Sequence, residues 1–172
     1  FKAWLKDAEF IDSKCKLTEL GTFCSENYID QSDLIWEIIW VNLVPPNPLL
    51  HRPVPGLTPN PTFAKPLLDE LAMEAFGASF SRSSVVYSMG ALLQVFKYSP
   101  IGEDMGQGVV QGKNNYLRMA HDSVSDVAIA YSLYKYSKAN GVKTLRVSDF
   151  YNETCRKGPF KEFGIGREVF FK

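Results

Sequence analysis

Between Leu34 and Val44 the chain reads Leu-Ile-Trp-Glu-Ile-Ile-Trp-Val-Asn-Leu-Val, with Glu37 and Asn42 as the only polar residues. A helix that is apolar nearly all round is buried all round. The stretch therefore predicts the central core helix, with Ser32 and Asp33 offering an N-cap and an acidic first turn. Trp36 and Trp40 could serve as base-stacking platforms, but they lie among aliphatics at helical spacing, which favours core packing. Upstream, Phe1, Trp4, Leu5 and Ala8 share one helical face. Ile11 to Lys14 read as an extended residue and a polar turn, closing a short hairpin. Lys16-Leu-Thr-Glu-Leu-Gly-Thr-Phe-Cys then starts a helix with Thr18 placed to cap it. A short strand, a polar turn and Leu-Thr-x-x-Gly leading into a helix resembles the way a winged-helix wing enters its last helix.

The pattern changes after Val44. Residues 45–66 hold eight of the ten prolines, which remove backbone donors and hold the preceding residues extended. An extended connector without helix or central strand is expected there. Its Leu49, Leu50, Val54, Leu57 and Phe63 suggest a strap on the core, and a proline-rich ligand for a recognition domain is the alternative. From Pro66 the periodicity is helical again. Leu67, Leu68, Leu71, Ala72, Ala75 and Phe76 form one face, and Gly77 is a left-handed stop. A second helix follows from Ser81–Ser84, buried through Val85, Val86, Met89, Leu92, Leu93 and Phe96, and ends at Tyr98-Ser-Pro100. Helix, short turn, helix is the helix-turn-helix arrangement. Val109-Val-Gln and Tyr116-Leu-Arg-Met flank the turn Gly112-Lys-Asn-Asn as a wing.

The last third predicts a helix capped by Asp122 or Ser123 and closed by Asn140-Gly141. A short strand at Leu145-Arg-Val, a brief helix capped by Ser148-Asp149 and a helical turn from Pro159 with two glycine stops should follow. An extended segment at Val169–Lys172 completes the reading. The fold class expected is mainly α with small β-hairpins, a winged-helix-like helical domain. Residues 1–44 are the end of an N-terminal winged-helix-like unit plus the buried core helix. Residues 45–65 are the connector, and residues 66–172 are the helix-turn-helix with wing and C-terminal helices.

Composition narrows the function classes. The 172 residues are 45% hydrophobic, 13% aromatic and 22% charged with zero net charge, enough apolar material for a real core. No apolar run approaches the ~18–20 residues of a membrane span, so no membrane partner is expected. The opening Phe-Lys-Ala-Trp-Leu resembles a cut inside a folded unit of a longer chain. Cys15, Cys24 and Cys155 are odd in number and widely spaced. They fit a reducing, cytoplasmic compartment and neither a disulfide framework nor a zinc site.

Candidate chemistry is sparse. His51 lies in the connector and His121 at a helix start, with no cysteine nearby and no Gly-x-Ser-x-Gly elbow. Glu103-Asp104, in the glycine-rich loop, reads either as a carboxylate pair or as a solvated turn, the latter preferred. The glycines lack a phosphate-loop pattern. No catalytic, cofactor or metal residue is assigned. Nucleic acid is the more serious candidate, because the second helix of a winged helix enters the major groove. Arg82 near the start of that helix, Lys97 at its end, and Lys113 and Arg118 on the wing are the candidate contacts to nucleic acid or a partner. Net charge zero counts against phosphate binding and favours protein or domain packing.

Five segments together resemble a known group: Phe1-Lys-Ala-Trp-Leu, Leu17-Thr-Glu-Leu-Gly, Asp33-Leu-Ile-Trp-Glu-Ile-Ile-Trp-Val-Asn-Leu, Ser99-Pro-Ile-Gly-Glu-Asp-Met-Gly-Gln and Lys161-Glu-Phe-Gly-Ile. The group is the bacterial phosphoadenosine phosphosulfate reductase family, in the region C-terminal to its catalytic part. The pattern also resembles a helical domain family of unknown function found near sulfur-handling enzymes. The resemblance implies an upstream catalytic domain of adenine-nucleotide α-hydrolase type, with an adenine nucleotide and commonly an iron–sulfur cluster. Neither a Ser-Gly-Gly-x-Asp-Ser loop nor a cysteine cluster occurs here, so the family's catalytic and cluster residues have no counterparts in this sequence. The expectation is an accessory domain that docks a partner or a substrate macromolecule, with a DNA- or RNA-binding module as the alternative.

Overall fold

The computed structural model describes residues 2–44, 62–76, 78–150 and 158–170. Residues 45–61 of the expected connector and strap, with His51, lie outside them, as do Gly77, Cys155 and the two C-terminal residues. The described chain is mainly helical with a small three-stranded antiparallel sheet.

The N-terminal part follows from local chemistry. Helix α1 (Lys2–Asp7) ends where Glu9 turns left-handed, at φ 60°. The Asp12 carboxylate accepts from the backbone N–H groups of Lys14 and Lys16 at 2.8 and 2.9 Å, and the hairpin closes as a single Ile11–Leu17 bridge. Thr18 caps helix α2 (Glu19–Asn27), its Oγ1 accepting from Gly21 N at 2.9 Å and donating to the Glu9 carbonyl at 2.6 Å. A Cβ on Gly21 would stand 2.1 Å from the Phe10 carbonyl oxygen. Leu-Thr-x-x-Gly thus has a physical reading: the threonine ties the hairpin to the helix, and the glycine lets the hairpin backbone press against it.

Helix α3 (Ser32–Leu43) carries the core. Its N-cap is Gln31 without a side-chain bond, so neither Ser32 nor Asp33 caps it; Asp33 supplies only first-turn charge. Ile35, Ile38, Trp40, Val41 and Leu43 are buried, and the Trp40 indole donates to the Glu162 carbonyl at 2.7 Å. Each such side chain stabilises the fold by roughly 1.5–3 kcal/mol. Asn42, also buried, donates to the Ala8 carbonyl and accepts from the Tyr131 hydroxyl, both at 2.9 Å. Leu34, Trp36 and Ile39 are only half-buried, so the helix is not enclosed all round.

Strand β1 (Thr62–Ala64) leads into helix α4 (Lys65–Phe76), with Pro66 in its first turn. Helix α5 (Arg82–Tyr98) is capped by Ser81, whose Oγ accepts from Ser84 N at 3.2 Å, and it stops before Pro100 as the sequence predicts. A tight turn follows, in which a Cβ on Gly102 would meet the Phe96 carbonyl oxygen at 1.7 Å. The strands of the next hairpin are short, β2 (Val109–Val110) and β3 (Asn115–Leu117), and the sheet order is β1-β3-β2 with both pairs antiparallel.

Helix α6 (Asp126–Asn140) is capped by Ser125 rather than Asp122 or Ser123, and closes on Gly141 at φ 64°. No strand forms at Leu145-Arg-Val; the chain makes a 3-10 turn at Val147–Asp149 instead. After helix α7 (Gly158–Phe163), residues Arg167–Phe170 form helix α8, where an extended end was expected. Packing decides the last point. Val169 is buried in the core, and a helical turn after Gly166 directs it there. One apolar cluster joins Ala8, Trp40, Phe63, Met89, Phe96, Ala128, Phe163 and Val169.

Candidate functional site

The four predicted contact residues are not brought together. Arg82 opens α5 and is exposed, Lys97 lies near its far end over the Tyr98 ring, and Lys113 is exposed in the β2–β3 turn. Arg118 corrects the sequence reading. It is 2% exposed, and its guanidinium donates to Gln107 Oε1 at 3.1 Å and to the carbonyls of Lys161 and Glu162 at 2.8 and 3.3 Å. Burial pulls its pKa down to about 10, which still leaves it charged at neutral pH. It ties the end of the β2–β3 hairpin to α7 and is not a surface contact.

Two surface features stand out. The larger is a groove of about 740 Å³ between α1, α3 and α5. Trp4, Leu5 and Phe10 form one wall, Trp36 and Ile39 the second, and Tyr87, Gly90, Ala91 and Gln94 the third. Tyr87 is 80% exposed. The half-burial of Trp36 and Ile39 has its cause here, since the face of α3 they occupy borders the groove. A Cβ on Gly90 would meet nothing within 4 Å, so the glycine leaves the α5 wall open. Glycine within a helix costs about 0.5–1 kcal/mol relative to alanine. Gly90→Ala is expected to raise stability by that amount in urea unfolding; an unchanged or lowered midpoint would mean the groove closes in solution.

The second feature is a cleft of about 380 Å³ bordered by Glu103, Asp104, Gly106, Met119, Asp122, Ser123 and His121. Beneath it lies a polar anchor that the sequence reading missed. Glu37, 2% exposed in the middle of α3, bonds His121 Nε2 at 2.9 Å, Ser125 N at 3.0 Å and Ser125 Oγ at 2.5 Å. Ser125 Oγ also accepts from Ala128 N at 3.1 Å as the cap of α6. A nucleophilic triad places histidine between the acid and the hydroxyl. Here the carboxylate is the hub, and the serine hydroxyl is engaged by the acid and the helix end. The connectivity is that of a structural clamp joining α3 to α6. One signal was legible: a carboxylate inside an otherwise apolar helix needs buried partners.

Glu162 is a further buried acid. Burial pushes its carboxyl up to about 7, against smaller opposing effects of Ser132, Lys161 and Lys135. Ser132 Oγ approaches, yet neither it nor Glu162 Oε2 completes a hydrogen bond. With the folded value near 7 and the ordinary value 4.5, the folded state holds the proton more tightly. This group's contribution is therefore neutral below about pH 4.5, becomes unfavourable as pH rises towards 7, and levels off above, at a cost of order 3 kcal/mol. Glu162→Gln should stabilise the protein by up to about that amount at pH 8 and scarcely at pH 4. Urea unfolding at the two pH values checks this, and equal effects at both would contradict it.

Among the described residues, no group of three or more His, Cys, Asp and Glu side chains is placed to hold a metal ion, and no helix is long and apolar enough to cross a membrane. Cys15 is exposed, and Cys24 is buried with its thiol pKa raised by that burial. No protein-family model matches the chain, and neither the curated proteins nor the solved structures give a match.

Proposed function

We propose that this chain is a non-catalytic accessory domain of a phosphoadenosine phosphosulfate reductase-like protein, and that it docks the catalytic region of that protein through the groove between α1, α3 and α5. The character of the outward face of α5 carries this reading. The order α3-β1-α4-α5-β2-β3, with sheet order β1-β3-β2, supports a winged-helix-like arrangement in which α5 occupies the place of the recognition helix. In a DNA-binding winged helix that face carries polar and basic groups that meet base edges and phosphates. Here it presents Tyr87, Gly90, Ala91 and Gln94 to an apolar groove edged by tryptophans. Aromatic side chains around an open apolar recess suit a protein anchor residue. Helix α1 forms one wall, so an N-terminal continuation in a longer parent would leave the domain beside the groove. Any adenine nucleotide and iron–sulfur cluster, with the oxidoreductase chemistry, belong to the parent's catalytic region in this reading.

The nucleic-acid alternative draws on the same sheet order and on exposed Arg82 and Lys113. Fluorescence anisotropy with labelled duplex DNA and RNA at about 50 mM salt separates the two, since phosphate-driven binding is strong there and falls steeply with salt. No binding is expected. Salt-sensitive micromolar binding, lost in an Arg82→Gln, Lys113→Gln variant, would overturn the docking reading.

A further inference from the structure

We infer that the part of the docked region that enters the groove between α1, α3 and α5 is a proline-rich segment in the extended polyproline II conformation. The inference rests on the docking reading for the place of the site and goes beyond it in naming the occupant.

The polar atoms of the groove carry the argument. Its lining holds no aspartate, glutamate, lysine or arginine. A charge brought there would lose its water without gaining a counter-charge, so the occupant is neutral. An indole N–H can only donate, and two of the three tryptophans line the groove. The third, Trp40, spends its N–H on the Glu162 carbonyl in the core at 2.7 Å. Trp4 and Trp36 are half-buried, and their indoles have no partner among the described residues. Neither N–H is sealed off, because the buried side-chain polar atoms without a partner are Ser132 Oγ and Glu162 Oε2. Both indole N–H groups therefore reach solvent. The exposed Tyr87 hydroxyl and Gln94 amide, two turns apart on α5, are likewise unbonded, whereas the Ser99 hydroxyl already donates to the Val95 carbonyl at 2.8 Å.

Unspent donors set in aromatic and aliphatic surface call for a ligand that is apolar, uncharged and accepts without donating. Proline is the residue of that kind, since it keeps its carbonyl and lacks an N–H. In polyproline II the carbonyls have no internal partner, and the rings lie against aromatic-lined grooves. An α-helix would fit less well, because it spends its main-chain carbonyls on itself. Strand addition needs a sheet edge, and no strand lines the groove. At Gly90, where a Cβ would meet nothing within 4 Å, an extended chain can pass close to α5. The stiffness of polyproline II also lowers the ordering cost of docking.

The test follows the three tryptophan indole N–H signals of the ¹⁵N-labelled chain by NMR, assigned with Trp4→Phe and Trp36→Phe variants. The titrant is a blocked peptide of about nine prolines, three turns of polyproline II. A glycine–serine peptide of the same length and an amphipathic leucine–lysine helix serve as comparisons. Saturable shifts of the Trp4 and Trp36 signals, with Trp40 unmoved, are expected from the proline peptide alone. Tyr87→Phe, which removes one exposed hydroxyl, should weaken binding about threefold to tenfold, the effect of one hydrogen bond. Gly90→Leu, which fills the groove, should weaken it more. No saturable shift, an equal response to the glycine–serine peptide, or unaltered affinity in Gly90→Leu would overturn the inference. Binding of the amphipathic helix in place of the proline peptide would also overturn it while leaving the docking reading intact, and that reading fails separately if the groove is not covered in the parent.

Discussion

Replacing Glu37 by alanine is expected to destabilise the fold by about 3–5 kcal/mol, because it strips the partner from one buried and two part-buried donors at once. The Ser125 N–H and O–H and His121 Nε2 all converge on this carboxylate, and α3 and α6 are joined through it. Ser125→Ala should cost less, about 1–2 kcal/mol, since it removes one bond to Glu37 and the cap of α6 but leaves the histidine paired. Urea denaturation of the two variants gives the comparison. A Glu37→Ala loss no larger than that of Ser125→Ala would mean that water replaces the carboxylate and that the clamp does not hold the helices together.

Arg118→Ala should be nearly as damaging, again about 3–5 kcal/mol, through a cavity and through acceptors left unpaired. Gln107 Oε1 and the Lys161 carbonyl lose this donor, the Glu162 carbonyl keeps the Trp40 indole, and α7 loses its tie to the residue that follows β3. Arg118→Lys should recover only part of the loss, because an ammonium cannot reproduce the planar fork of donors. A stable Arg118→Ala protein in thermal unfolding would contradict the buried placement and return this residue to the list of surface contacts.

Arg118 and Glu37 also mark where sequence patterns stop being informative. An arginine in a hairpin reads as exposed, and its partners here are carbonyls of α7, more than forty residues downstream. Glu37 and His121 are 84 residues apart, and no local pattern links them. What is encoded locally was legible: the Thr18 cap, the start of α5 within Ser81–Ser84 and its Pro100 stop, the Gly141 closure and the apolar α3. The misses share a cause. Gln31 and Ser125 replaced the expected caps because helix starts shift by a residue or two among neighbouring polar candidates. The strand-like Leu145-Arg-Val and Val169-Phe runs have no neighbouring strand to pair with among the described residues, and tertiary packing overrides their β preference. The groove was illegible for a related reason. Trp36 and Ile39 belong to a pattern that reads as uniform core, and only the positions of α1 and α5 leave their side open.

The proposed docking turns on whether that open side is covered in the proposed parent protein. Hydroxyl-radical footprinting of Trp4, Trp36 and Tyr87, in the isolated domain and in the parent made from the intact gene, measures this directly. The account predicts that all three are labelled in the isolated domain and protected in the parent. It also predicts that Gly90→Leu, which fills the groove where a Cβ meets nothing within 4 Å, restores labelling of Tyr87 in the parent. Equal labelling of the three residues in both proteins would contradict it.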